Sequence, residues 1–136
     1  MLLSLYIVNR AGTLVFQRNL DPTLPKLSSN EYLRVGSTFH SLHELAKQAA
    51  PIESGGILKL EANNFCLQCL QTLTGIKFVL IAEPGAPSLD RVLQRIYSAL
   101  MQSPSPQSAV SSVVAKEAVH YDQRCSTARQ KLSVTK

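Results

Sequence analysis

The strongest constraint on the fold of this chain is a run of three strand-like segments joined by two very short turns. The segments are Ile57–Ala62, Phe65–Leu73 and Ile76–Glu83. Asn63-Asn64 and Thr74-Gly75 separate them, and residues of these types form the tight turns between antiparallel neighbours. Within the third segment, Phe78–Ala82 is apolar without interruption, which is typical of a strand buried on both faces. The sequence therefore predicts an antiparallel meander whose last strand is central in a larger sheet.

Two further strands and a helix precede this meander. Leu2–Val8 and Thr13–Arg18 flank a turn that ends in Gly12, so they predict a β-hairpin. Ser28 and Glu31 have the spacing of a capping box at the start of a helix. Apolar residues then recur every three or four positions, as on one face of a helix: Tyr32, Val35, Phe39, Leu42, Ala46 and Ala49. We expect this stripe, including Phe39 and Leu42, to face the core.

A second helix follows the meander. Ser88 is placed to cap it, and its apolar stripe consists of Leu89, Val92, Leu93, Ile96, Tyr97 and Leu100. Ser103–Pro106 interrupts this helix because proline cannot continue it. The order β-β-α-β-β-β-α predicts an α+β domain over residues 1–102, with helices on both faces of an antiparallel sheet.

Residues 103–136 differ in character from the rest of the chain. They begin with a segment rich in proline and serine, and Val110–Ala118 is only weakly amphipathic. We expect an atypical C-terminal tail that is disordered or weakly helical and dispensable for the core fold.

The charge and the apolar runs exclude several classes of protein. The tail contributes +3 of the net charge of +5, and no cluster of five or more basic residues occurs, which disfavours nucleic-acid binding. A weak attraction to an acidic protein or an anionic lipid is compatible with this charge. The longest apolar run, Phe78–Ala82, is far shorter than the ~20 residues of a membrane-spanning helix. No basic residue precedes Leu2–Val8 and no small-residue cleavage site follows it, so we expect a cytosolic chain.

Two groups of residues have the types that carry chemistry. Cys66 and Cys69 have CxxC spacing, but positions three apart on a strand point to opposite faces, and a redox cysteine needs a helix N-terminus. We favour packing cysteines and keep a thiol or metal protein as the lesser alternative. His40 and His43 have no matching third ligand, so we expect partly exposed helix residues. The sequence predicts no catalytic, cofactor-binding or metal-binding residue and favours an interaction module.

Short motifs spread over about residues 1–101 are similar to one known family. The most specific is the block Gln71–Val79, and the others are Leu5–Gly12, Phe39–Leu42, Gly55–Ile57, Phe65–Cys69, Ala82–Pro84 and Leu93–Tyr97. Together these motifs resemble the synbindin-type subunits of the TRAPP vesicle-tethering complex. Residues 102–136 do not resemble the C-terminal segment of that family.

The resemblance implies a longin-like fold. Its five-stranded antiparallel sheet runs second, first, fifth, fourth, third strand, with one helix on one face and two on the other. Some members carry a PDZ-like insertion before the first helix, and we expect it to be absent here because only residues 19–29 fill that gap.

The resemblance also implies a function. It implies a non-catalytic core subunit without cofactors, whose partners are other TRAPP subunits and a Rab-family GTPase. The complex catalyses nucleotide exchange on that GTPase in endoplasmic reticulum-to-Golgi transport, so we expect a cytoplasmic protein peripheral to the endoplasmic reticulum and cis-Golgi. Another longin-like trafficking adaptor subunit is the alternative.

The implied strand order makes Ile57–Ala62 an edge of the sheet, where unpaired N–H and C=O groups can pair with another chain. No proline interrupts this segment. We expect it to form the main subunit interface with the neighbouring face of the first helix, through Ile57, Lys59, Leu60 and Glu61. Leu60→Pro should then remove one backbone donor and weaken association more than Leu60→Val. The alternative is a solvent-exposed edge on which Lys59 and Glu61 are protective charges.

Overall fold

The computed structural model describes residues 2–103 and 106–134, of which 106–108 and 128–134 are described by their backbone alone. The strands are β1 (Leu2–Val8), β2 (Leu14–Asn19), β3 (Lys59–Glu61), β4 (Cys66–Gln71) and β5 (Lys77–Ala82). The helices are α1 (Ser29–Ala49), α2 (Leu89–Gln102) and α3 (Pro106–Val134). No helix within the described ranges is long and apolar enough to cross a membrane.

The five strands form one antiparallel sheet in the order β2-β1-β5-β4-β3. This is the order implied by the motifs, so the prediction of a longin-like α+β fold is confirmed. β5 is central as predicted, and Leu80, in its middle, is fully buried. Residues 20–28 alone connect β2 to α1, which leaves no room there for an inserted domain.

The sheet has a separate apolar core on each face. One core joins β1, β4 and β5 to α2 and α3, and the other joins the same strands to α1. Cys66 belongs to the first core and Cys69 to the second, as their spacing on a strand predicts. Phe78 is 4% exposed in the first core, so its predicted core position is confirmed.

α1 begins as the sequence predicts. The Ser28 Oγ accepts a hydrogen bond from the Glu31 N–H at 3.3 Å. The Glu31 carboxylate accepts one from the Ser28 N–H at 2.8 Å. These two bonds close the predicted capping box and satisfy two backbone donors at the helix start.

α1 packs on the sheet through part of the predicted stripe, namely Tyr32 and Phe39, and through a neighbouring face that was not predicted. Its buried residues are Gly36 and His43. A Cβ at Gly36 would lie 3.2 Å from the Leu14 Cβ, so the helix backbone approaches the hairpin closely at this residue. This approach turns the predicted apolar stripe partly away from the sheet. Phe39 is partly buried, but the predicted core position of Leu42 is wrong, because its side chain is 50% exposed.

α2 buries most of the stripe that the sequence predicts, namely Leu89, Val92, Leu93, Ile96 and Leu100. The predicted cap is wrong, because the Ser88 side chain makes no capping hydrogen bond. Ser88 has a φ of 60°, whereas a capping side chain reaches the first helical N–H groups from an extended backbone. The chain therefore enters α2 through a left-handed residue instead of through a side-chain cap.

The C-terminal segment differs from the expected tail, because α3 is a long helix packed on α2 and β1. Val110, Val114, Ala118 and Tyr121 are buried in the core that α2 also lines. The Tyr121 hydroxyl donates to the Pro87 carbonyl at 2.8 Å, and the Arg18 guanidinium donates to the Ser111 carbonyl at 2.9 Å. Pro104 and Ser105, which we expected to interrupt the second helix, lie outside the described residues.

Candidate interaction surface

The open edge of the sheet at β3 is the first part of the candidate surface. The Cys69 N–H donates to the Leu58 carbonyl at 2.8 Å, and the Ala62 N–H donates to the Phe65 carbonyl at 2.9 Å. Backbone groups of an edge strand alternate between its neighbour and the open side. Leu60, which lies opposite Leu67, therefore bonds to β4. The N–H and C=O groups of Lys59 and Glu61 are the ones that point outward.

This alternation corrects two predictions about the edge. The strand covers Lys59–Glu61 and not Ile57–Ala62, although its hydrogen bonds to the fourth strand extend from Leu58 to Ala62. Proline at Leu60 would break the bond to β4 inside the sheet instead of blocking a partner. Glu61 is the residue at which a proline would remove an outward donor.

The side chains of the edge divide between the two faces of the sheet. Leu60 lies opposite Leu67, whose side chain is in the core beneath α1, so Leu58 and Leu60 lie on the α1 face. These two leucines are 59% and 43% exposed. Lys59 and Glu61 lie on the other face and form an ion pair of 3.0 Å. The edge therefore carries apolar side chains on one face and compensated charges on the other.

The flank of α1 next to its buried face is also apolar. A helix turns by about 100° per residue, which places Val35 and Leu42 beside the partly buried Phe39. Val35 is 38% exposed, Leu42 is 50% exposed and Leu45, further round the helix, is 58% exposed. We call the β3 edge and these exposed side chains of α1 and β3 the edge surface.

A buried histidine joins the two parts of the edge surface. The His43 ring is fully buried, which corrects the prediction of a partly exposed side chain. Its Nδ1 accepts a hydrogen bond from the Ile57 N–H at 3.2 Å, and its Nε2 lies 3.0 Å from the Gln71 Oε1. Gly56 has a φ of 90°, and a Cβ there would lie 2.6 Å from the ring. α1 therefore fixes the start of the edge strand through one side chain.

The predicted interface residues lie together but differ in exposure. Ile57 is half-buried with its N–H held by His43, whereas Lys59, Leu60 and Glu61 are exposed along β3. Their role in contacting a partner stays a prediction. The neighbouring face of the first helix was predicted to take part in this interface, but Leu42 was assigned to the core and Leu58 was not named among the contacting residues.

The cysteines and histidines make no cluster that would hold a metal ion. Among the described residues, no three His, Cys, Asp or Glu side chains lie close enough together to do so. Cys66 and Cys69 are free and buried on opposite faces of the sheet. Burial raises the pKa of the Cys69 thiol to about 11, which keeps the thiol protonated at neutral pH.

Comparison with known proteins gives relatives that bear a single name. A Dictyostelium discoideum protein named trafficking protein particle complex subunit 4 is 49% identical over 96 residues, which are 69% of this chain and 70% of that protein. Human and bovine proteins of the same name are each 49% identical over 74 residues, covering 54% of this chain and 34% of those proteins. The chain therefore matches about a third of the length of its mammalian relatives.

Solved structures and a family profile complete the comparison. A structure of Myxococcus xanthus MglB aligns with 71% of this chain and 75% of its own, with 17% sequence identity and a TM-score of 0.44. The profile described as the Sybindin-like family matches residues 2–103. Because this match covers all five strands and the first two helices, and because the motifs resemble synbindin-type TRAPP subunits, the chain belongs to the Sybindin-like family.

Proposed function

We propose that this chain is a non-enzymatic subunit of a trafficking protein particle complex and that its edge surface joins it to a neighbouring subunit. The observation that supports this most is the open β3 edge, whose exposed leucines lie on the same face of the sheet as α1 and its exposed leucines. Outward backbone groups can extend the sheet into a partner chain, and the leucines lose water when a partner covers them. The names of the relatives support the kind of complex.

We further propose the setting in which this complex acts. The subunit helps to form a platform on which a Rab-family GTPase exchanges its nucleotide, in transport from the endoplasmic reticulum to the Golgi. The chain is then cytoplasmic and reaches the membrane through the complex. This part of the proposal is supported by the motif resemblance, in particular by the block Gln71–Val79.

A matched pair of substitutions at Glu61 tests the edge. Glu61→Pro removes the outward N–H together with the side-chain charge, whereas Glu61→Ala removes the charge and the ion pair but keeps the N–H. Each tagged chain is purified from cells, and co-purifying chains are identified by mass spectrometry. We expect the proline variant to lose the neighbouring subunit and the alanine variant to retain it, after circular dichroism has shown that both are folded.

A second pair tests the α1 flank. Leu42→Ser changes the edge surface, and Val15→Ser changes a residue of similar exposure on β2, at the opposite edge of the sheet. Both side chains are exposed, so each change should alter the free energy of unfolding by less than about 0.5 kcal/mol. Only Leu42→Ser should weaken assembly. Full retention of partners by folded Glu61→Pro and Leu42→Ser would show that this surface is not the interface, and co-purification with adaptor subunits alone would reject the proposed complex.

A further inference from the structure

A cationic cavity opens at the end of the sheet where the chain turns from β1 to β2 and from β4 to β5. It has a volume of about 530 Å³ and lies between α1 and these turns. Its charged lining residues are Arg10, Glu44, Lys47 and Lys77, and its other lining residues are His40, Gln71, Leu73, Thr74 and Gly75. The three Lys and Arg side chains against one carboxylate leave an excess of two formal positive charges.

The buried Lys77 ammonium lies deepest in this cluster. Its side chain is 2% exposed, and its Nζ donates to the His40 Nδ1 at 3.1 Å. The nearest carboxylate oxygen, Glu44 Oε1, is 3.9 Å away, beyond hydrogen-bond distance, and it also pairs with Lys47 at 3.3 Å. Among the described residues the ammonium therefore has one hydrogen-bond acceptor for its three N–H donors. A charge buried in this way gains from any further anion within reach.

Arg10 supplies a second cation at the rim of the cavity. Its side-chain stem lies over Gly75, where an added Cβ would come within 3.0 Å of the Arg10 Cγ. The guanidinium makes no hydrogen bond or ion pair with another residue in the described part of the chain, so its donors are available. Gly75 has a φ of 90° in the turn between β4 and β5, and its lack of a side chain lets the arginine lie close to this turn.

We propose that this cavity binds a phosphate group carried by a lipid headgroup or by a soluble molecule. A phosphate monoester carries a charge close to −2 at neutral pH, which matches the excess of two positive charges. The arginine fork and the two ammonium groups provide the charge-assisted donors that phosphate oxygens accept. A carboxylate would neutralise only half of this excess. The inference does not depend on the proposed membership of a tethering complex.

An exposed leucine beside the cavity allows a test of whether the bound phosphate belongs to a lipid headgroup. Leu73 lies in the turn between β4 and β5, lines the cavity and is fully exposed. An apolar side chain beside a basic site can enter the boundary between headgroups and acyl chains when the site holds a headgroup. A soluble phosphate gains nothing from this side chain.

The experiment compares two double variants of the full chain that carry the same net charge. Arg10→Gln with Lys47→Gln alters the cavity, and Arg91→Gln with Lys116→Gln alters exposed positions on α2 and α3. Lys77 is left unchanged because its buried side chain is part of the fold. The first probe is inorganic phosphate, and the NMR chemical shifts of the Thr74 and Gly75 amides report whether it binds. The second is sedimentation with phosphatidylcholine vesicles, with and without a phosphatidylinositol phosphate.

We expect the cavity variant to bind at least about tenfold more weakly than the unmodified chain and the control variant to bind like it. If the chain sediments with the phosphoinositide vesicles and Leu73→Ser weakens this binding, the phosphate belongs to a lipid headgroup. Shifts with inorganic phosphate and no retention on vesicles identify a soluble source. No binding to either probe would overturn the proposal, as would an equal loss in the two charge-matched variants, which would show a general charge effect.

Discussion

His43 shows how a single residue can determine where an edge strand begins. The ring contacts Gly56, accepts from the Ile57 N–H and meets the Gln71 side chain while being shielded from water. Burial lowers the pKa of His43, the Lys77 and Lys47 charges lower it further, and the Gln71 hydrogen bond and the Glu44 charge oppose them. The folded chain therefore favours the neutral imidazole.

This shift makes stability depend on pH with a defined sign. The folded pKa lies below the unfolded value of about 6.5, so the unfolded state binds more protons when the pH falls below that value. Stability should be full above about pH 6.5 and should fall as the pH drops below that value, by at most about 1.4 kcal/mol per pH unit. Urea unfolding midpoints measure it, and His43→Gln, which cannot titrate, should flatten the dependence. Equal slopes in both chains would contradict this origin.

The thiols give a second prediction at this scale. Cys66 and Cys69 are buried and Cys125 is partly exposed. Since burial raises the pKa of Cys69 to about 11, its thiolate is scarce at pH 8. A thiol titration of the folded chain should show one fast thiol, which Cys125→Ser abolishes, and all three should react in denaturant. Fast reaction of Cys66 and Cys69 in the folded chain would favour the thiol-protein alternative.

At the scale of elements, strands were predicted better than helix faces. The two cysteines could be assigned to opposite faces because strand geometry alternates regardless of the neighbours. The face of α1 could not be predicted in the same way, because apolar periodicity identifies the stripe but not which part of it packs on the sheet. His43 carries no sequence signal of burial, since its role depends on residues 56, 57 and 71 approaching it in three dimensions.

α3 was not predicted as a packed helix because its sequence has no clear apolar stripe. The buried Val110, Val114 and Ala118 are accompanied by apolar residues outside their stripe, such as the exposed Val119, so the segment has weak amphipathicity. Its helix gains stability from packing on α2 rather than from its own pattern. The resemblance to the family also ends before this segment, so no motif indicated its position.

Two valines on α3 test whether this helix is docked. Val114 is fully buried and Val119 is 58% exposed on the same helix. Val114→Ala should lower the free energy of unfolding by about 1–3 kcal/mol, because it removes buried apolar surface and leaves a cavity. Val119→Ala should change it by less than about 0.5 kcal/mol. Urea unfolding followed by circular dichroism compares them, and equal effects would mean that α3 is not part of the folded core.

At the scale of the whole molecule, the sheet order combines local and distant information. Short turns determine the pairs β1–β2, β3–β4 and β4–β5, which the sequence predicted directly. The pairing of β1 with β5 joins distant residues and was predicted only through the family resemblance. The sheet order does not indicate which subunits bind this chain, because the proposed interfaces also require residues of those subunits.

The proposed function predicts that the isolated chain lacks exchange activity. A Rab GTPase loaded with a fluorescent nucleotide should release it at the same rate with and without the purified chain, because one subunit supplies only part of the platform. The complex purified from cells is the positive control and should accelerate release. Acceleration by the chain alone would contradict its assignment as a non-enzymatic subunit.

The position of β1 inside the sheet has a consequence for synthesis on the ribosome. β1 is made first, yet one of its two neighbours is β5, whose residues 77–82 are translated much later. Until then an apolar strand is exposed along one side, which favours aggregation or chaperone binding. Strands so far apart in the sequence also pair slowly, because a long loop must close first. Nascent chains that stop before residue 82 therefore cannot complete this sheet. Chaperones and proteases would encounter them as β-hairpins with an exposed edge.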